Sequence, residues 1–217
     1  MLPNHSPLVI AEHFGTLASL YPNRIDLGLG RAPGTDQVTA AALNSNFFEN
    51  ARNFPENVEK IQSYFSNESE QTQVRAFPGE GLDVPVWILG SSTDSAFLAS
   101  SKGLPYAFAS HFSPSQMRIA FDIYKNNFTN QGQPSKMMAC VNVIIADTTS
   151  EAERLATSFY RMFLGMIRNQ RRLLQPPIDS MNGIWEPMEE EYVKQMTACS
   201  FIGTKESVQT EIHAFIE

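Results

Sequence analysis

Leu27-Gly28-Leu29-Gly30-Arg31-Ala32-Pro33-Gly34 is the stretch on which the reading of the fold turns. Ile25, Leu27 and Leu29 alternate with Asp26, Gly28 and Gly30. That is the period of a strand, with one face made of small residues. A dinucleotide-binding fingerprint needs glycine at the first, third and sixth positions, followed at once by a helix. Here the sixth position is Pro33, and Gly34 comes one residue late. Proline blocks the close helix approach, which argues against a Rossmann site. What remains is a strand that ends in small residues and an arginine.

The segments on either side have the same alternating character. Ser6-Pro7 opens a helix with Ile10, Phe14, Leu17 and Tyr21 at helical spacing, and Tyr21-Pro22-Asn23 ends it. Residues 32–53 are largely polar, with helical character around 37–43. Phe54-Pro55-Glu56 opens a helix whose stripe is Val58, Ile61, Tyr64 and Phe65, and 68–83 reads as a loop. Four strands are expected at about 25–30, 85–90, 106–109 and 139–146, each followed by helix. The last helical segments fall at 189–196 and 204–216. Strands alternating with helices, and apolar on both faces, imply a parallel sheet with right-handed crossovers.

With 217 residues, 42% apolar and 18% charged, the composition is that of a globular chain with a sizeable core, expected as one domain over 1–217. The net charge of −7 argues against a nucleic-acid or anionic-membrane partner. No window of 18 apolar residues exists to span a bilayer, and the N-terminus has no signal-peptide pattern. Cys140 and Cys199 are far apart in apolar stretches and read as reduced, buried thiols, so the expected location is cytoplasmic. The histidines show no metal-ligand spacing, and no metal site is expected.

Two strand ends carry the candidate chemistry. Arg31, just past the first strand, has the fork geometry to pair bidentately with a phosphate, or it makes a surface ion pair. Leu89-Gly90-Ser91-Ser92-Thr93-Asp94 runs from a strand end into a helix. First-turn N–H groups and the two hydroxyls form a phosphate cradle, or the serines merely cap the helix. Sites in α/β proteins gather at the carboxyl ends of strands, which favours reading the two segments together. His111 follows the strand at 106–109, and His5 precedes the first helix. Each is either a proton-handling candidate or a structural histidine. Glu189-Glu190-Glu191 reads as a solvated helix start favoured by the helix dipole. Nucleophile-elbow, P-loop and HExxH motifs are absent.

Several of these stretches together resemble a known family. They are Leu2-Pro3-Asn4-His5-Ser6-Pro7-Leu8, Ala11-Glu12-His13-Phe14-Gly15-Thr16-Leu17, and the run from Tyr21 to Asp36. Val86–Ser92, Gly103–Phe112 and Asn142–Thr148 match the same pattern. The chain is similar to the luciferase-like flavin-dependent monooxygenases, in the branch described as class flavin-dependent oxidoreductases. The resemblance implies an α/β fold of the (β/α)8 TIM-barrel type, present only in part: about strands 4–7, without the first strands or the last. It implies reduced FMN supplied by a flavin reductase, O2, and a small organic substrate, with a deazaflavin as the alternative cofactor. By the same resemblance Arg31, Ser91 and Ser92 hold the cofactor phosphate, and Gly90 lets the backbone approach it. The family's catalytic histidine lies on a strand absent here, so the catalytic residue stays unassigned, with His111 and His5 as candidates. Two rival expectations stand beside the enzyme: a non-catalytic flavin-binding protein, and an inactive truncated barrel whose open strand edges call for a partner chain, such as a second copy.

Overall fold

Leu27–Gly30 forms the first strand, β1, and Val86–Gly90 the second, β2. A computed structural model of the chain describes residues 1–44, 46–67, 73–129, 132, 134–170 and 172–216. β1 and β2 run parallel, with Leu27 opposite Val86 and Gly30 opposite Leu89. Leu27, Leu29, Val86 and Ile88 are buried. Gly28 is on the other face by alternation, and it is glycine there because a Cβ would meet the Leu89 side chain at 2.8 Å. The alternation read from the sequence is therefore the alternation of the strand, and one of its glycines is required by cross-strand packing.

β3 (Tyr106–Phe108) and β4 (Met137–Ala139) complete a sheet in the order β1-β2-β3-β4. β5 (Asn142–Ile145) and β6 (Ser200–Gly203) form a second sheet and also pair in parallel. The helices are α1 (Pro7–Leu20), α2 (Gln37–Leu43), α3 (Phe47–Arg52), α4 (Phe54–Phe65), α5 (Thr93–Ser101), α6 (Met117–Asn127), α7 (Thr149–Ile167), α8 (Pro187–Met196) and α9 (Lys205–Ile216). The chain divides into two compact units, Met1–Ala107 with Ile119–Met138, and Phe108–Arg118 with Ala139–Glu217. The fold is α/β with parallel strands joined through helices.

Three elements differ from expectation. The run expected as one strand over 139–146 is two. Cys140 donates its N–H to the Phe108 carbonyl (3.1 Å), whereas Asn142 donates to the Cys199 carbonyl (3.1 Å). The backbone thus changes pairing partner between those two residues. β6 and α3 were not expected: α3 lies inside a stretch read as largely polar, and β6 is only four residues long. Of the expected loop at 68–83, residues 68–72 lie outside the described residues.

In the first unit, α1 does not bury the stripe its spacing suggests. Leu17 is 40% and Tyr21 49% exposed, while Ala11 and Gly15 are buried. The reason is a close backbone approach: a Cβ on Gly15 would lie 2.3 Å from the Gly79 Cα. By contrast, α4 buries Val58, Ile61 and Phe65, as its stripe predicts. In the second unit, Phe163 and Leu164 of α7 pack with Met181 and with Val193 of α8. Glu189 is not simply solvated. It takes two hydrogen bonds from Arg168, each 2.7 Å, and one from the Glu186 N–H at 2.8 Å. These hold its carboxyl down at about 2. Among the described residues no helix is long and apolar enough to cross a membrane. Among the same residues no group of three or more His, Cys, Asp or Glu could hold a metal ion.

The Gly15–Gly79 contact makes a prediction whose sign opposes helix propensity. Alanine is the better helix former by about 1 kcal/mol. Overpacking against backbone costs about 1–3 kcal/mol. Gly15→Ala is therefore expected to lower the midpoint of urea unfolding, and a raised midpoint would contradict the contact.

Candidate functional site

The parallel register sets the geometry of the candidate site. Gly30 lies opposite Leu89, so Arg31 and Gly90 leave the sheet at the same level and at the same, carboxyl, end. The chain after Gly90 turns through Ser91 and enters α5, with Ser92 as its N-cap residue in extended geometry. Arg31 Nη2 donates to the Asp94 carboxylate in the first turn of α5 at 3.4 Å. Their side chains are 54% and 71% exposed. An exposed ion pair of this kind is worth less than about 1 kcal/mol. The structure therefore brings Arg31 together with the Gly90–Asp94 turn, and the guanidinium is held only loosely there.

Beneath this turn lies a part-buried polar network. The Ser95 hydroxyl donates to the Ser92 carbonyl (2.6 Å), and it shares a hydrogen bond with the Tyr106 hydroxyl (2.9 Å). Tyr106 also donates to the Ser92 carbonyl (3.2 Å). Burial pushes the Tyr106 phenol above its ordinary pKa, which keeps it a neutral donor. The network uses the Ser92 carbonyl and leaves its hydroxyl off the helix: that side chain makes no capping bond. The first-turn N–H groups of α5 consequently stay available to an anion, which the helix dipole favours.

Gly90 has a reason of its own. A Cβ on Gly90 would sit 2.0 Å from the Ser95 Oγ. The same device recurs in the second unit, where a Cβ on Gly203 would sit 2.3 Å from the Ser207 Oγ and Ser207 donates to the Thr204 carbonyl (3.1 Å). A strand-ending glycine under a helical serine is thus first a docking device for the helix. Sequence reasoning gave Gly90 to the ligand and missed Ser95. It also passed over Asp94, because an acid in a first helical turn is an ordinary dipole feature.

The turn that carries Arg31 is bounded on its far side by α2. Asp36 caps that helix, accepting from the Thr39 N–H (2.9 Å) and the Thr39 hydroxyl (2.8 Å). These two bonds hold the Asp36 carboxyl at about 2, below its ordinary 3.8. Asn4 donates from Nδ2 to the Pro33 carbonyl (3.2 Å), within the same turn.

His5 is exposed, at the end of the 3-10 turn Leu2–Asn4, where its N–H bonds the Leu2 carbonyl (2.9 Å). His111 belongs to the second unit. Its carbonyl accepts from Asn142 Nδ2 (2.6 Å), and its ring meets Phe112 edge-on at 4.7 Å. Among the described residues its Nδ1 is buried without a partner, and burial lowers its pKa. Cys140 and Cys199 are free thiols, both pushed up in pKa chiefly by burial.

A family model described as luciferase-like monooxygenase matches residues 1–217. The chain belongs to the luciferase-like monooxygenase family. Two bacterial relatives are similar along this whole chain. Uncharacterized protein YvbT of Bacillus subtilis (strain 168) is 48% identical over 221 residues, and a luciferase-like monooxygenase of Escherichia coli (strain K12) is 45% identical over 218. The chain spans 65% of the length of each. Among solved structures, apo-MsnO8 is 29% identical, with a TM-score of 0.81 over 99% of this chain and 65% of its own. Two others share the fold alone. One is an F420-dependent secondary alcohol dehydrogenase with an F420-acetone adduct (14%, TM-score 0.65, 98% of this chain and 66% of its own). The other is the oxygenating constituent of 3,6-diketocamphane monooxygenase of Pseudomonas putida, a type II Baeyer-Villiger monooxygenase with FMN (17%, TM-score 0.64, 100% and 67%).

The Asp36 cap should be visible in the acid range. Its folded pKa is depressed, so its contribution is present above the unfolded value, 3.8, and is lost as pH falls through about 2. The Tm difference between the unmodified chain and Asp36→Ala is expected to shrink as the pH is lowered through this window. A difference that stays constant over the window would show that the carboxylate does not cap α2.

Proposed function

We propose that this chain grips the phosphate of reduced FMN, as part of a luciferase-like monooxygenase that uses O2 on a small organic substrate. The observation that carries the reading is the meeting of Arg31 with the first turn of α5 at one end of β1 and β2, 3.4 Å apart through Asp94. In this reading Arg31 supplies charge and a bidentate fork. Ser91 and Ser92 supply hydroxyls, and the α5 N–H groups supply the dipole. A phosphate replaces Asp94 as the partner of Arg31, which costs little because that pair is exposed. Gly90 serves by seating Ser95, and thereby sets the turn. When bound, the flavin supplies the activation of O2, and the chain's part is to bind and orient it.

We read residues 1–217 as one luciferase-like domain and the sheet as part of a (β/α)8 barrel. The exposed apolar side chains of Leu89 on β2 and of Val143 and Ile145 on β5 support this, since a barrel interior would cover them. Of the two histidines, His111 is the better candidate for handling a proton, because its buried Nδ1 has no partner among the described residues. Electrons come to the flavin from a separate reductase. A deazaflavin, whose side chain also carries phosphate, is the alternative ligand. The free thiols fit a reducing cytoplasm. A non-catalytic flavin-binding protein is the alternative function.

Fluorescence titration with FMN, riboflavin and a deazaflavin tests the reading. FMN is expected to bind more tightly than riboflavin. Arg31→Ala should cost FMN about 1.5–3 kcal/mol, or about 10- to 150-fold in affinity, and leave riboflavin unchanged. Equal affinity for FMN and riboflavin would overturn the phosphate assignment. Flavin binding without reductase-dependent O2 uptake would favour the non-catalytic alternative.

A further inference from the structure

Arg31 stands on a turn with little holding it. Among the described residues no backbone–backbone hydrogen bond closes the turn within residues 32–35. The turn is anchored at its ends by the β1–β2 ladder and by the Asp36 cap of α2. Gly34, in its middle, has a φ of +72°, a conformation glycine adopts without strain. A mid-turn tie comes from the N-terminal segment. Asn4 Nδ2 donates to the Pro33 carbonyl, two residues beyond Arg31, across 29 positions of sequence. The segment itself is well seated: Leu2 and Pro3 are buried, and the Pro3 carbonyl accepts from both Asn44 (2.9 Å) and Asn50 (3.2 Å). Met1 covers the turn, since a Cβ on Gly34 would lie 2.3 Å from the Met1 Cε.

Asn4 is an odd residue to keep for stability. Among the described residues its Oδ1 is buried without a partner, which is costly. An apolar side chain of the same shape would avoid that cost. What it could not do is hold the Pro33 carbonyl.

We propose that Asn4 is a positioning residue for the anion site: through the Pro33 carbonyl it fixes the turn that aims Arg31 at the first turn of α5. The inference rests on the phosphate reading above and adds a residue that touches no ligand. Its signature is selectivity. A residue that merely stabilises the fold would affect every flavin alike. A residue that aims Arg31 affects only the phosphorylated ligand, and only while Arg31 is present.

The test uses the whole 217-residue chain, with FMN and riboflavin affinities measured for the unmodified protein, Arg31→Ala, Asn4→Leu and the double variant. Asn4→Leu is expected to weaken FMN by about two- to tenfold, the worth of one hydrogen bond, and to leave riboflavin unchanged. In the double variant the FMN affinity is expected to equal that of Arg31→Ala alone, because the two residues act as one unit. The inference is overturned if Asn4→Leu leaves FMN binding intact, weakens FMN and riboflavin equally, or adds its full effect to that of Arg31→Ala. If Arg31→Ala itself leaves FMN affinity unchanged, the phosphate reading fails and the inference falls with it. Asn4→Ala is the second variant should leucine not be accepted, and failure of both to fold would assign Asn4 to the fold and overturn its positioning role.

Discussion

The parallel ladder between β1 and β2 is the constraint from which the candidate site follows. With Gly30 opposite Leu89, the two chains leave the sheet together, and Arg31 reaches Asp94 across 63 positions of sequence. A slip of one residue would turn every side chain of β1 to the opposite face, exposing Leu27 and Leu29 and burying Asp26. The hydrophobic alternation therefore enforces the register, and the register delivers the arginine. Gly28 belongs to the same constraint, since the Leu89 side chain occupies the space a Cβ would need.

Around that ladder the site divides into a rigid part and a loose part. The rigid part is the part-buried Ser92–Ser95–Tyr106 network, in which hydroxyls consume the Ser92 carbonyl and pin the start of α5. The loose part is the exposed Arg31–Asp94 pair. Such a combination suits ligand capture. Backbone donors are placed in advance, while the charged partner exchanges one anion for another at small cost. In the proposed reading Asp94 is the resting partner of the guanidinium, 3.4 Å from it.

β1 and α4 were legible in the sequence because their apolar residues recur at one clean period and the stripe is largely the part that is buried, whereas β2 was legible as a short unbroken apolar run, of which Val86 and Ile88 are buried and Leu89 is exposed. α1 was legible as a helix and misleading as a surface: its large apolar residues drew attention, yet its buried face runs through Ala11 and Gly15. Contact through absent side chains leaves no hydrophobic signal to read. The split between β4 and β5 was hidden because an apolar run does not show where it changes neighbours. β6 is four residues long, too short to show a period. At the site, Arg31, Ser91 and Ser92 were legible as strand-end residues. The roles of Gly90, Ser95 and Asn4 were not, since each depends on a contact with a residue that the sequence alone does not place beside it. The family resemblance, carried by stretches between Leu2 and Asp36 and by Val86–Ser92, Gly103–Phe112 and Asn142–Thr148, agrees with the family model that spans the whole chain.

In the proposed reading, Arg31 and the first turn of α5 form one anion pocket. Nuclear magnetic resonance of the nitrogen-15-labelled chain, titrated with inorganic phosphate, tests it most directly. The account predicts that the Arg31 Nε–H and the backbone amides of Thr93, Asp94 and Ser95 shift together along a single binding curve. Arginine and helix signals that respond with different affinities, or that stay still while other regions move, would contradict it.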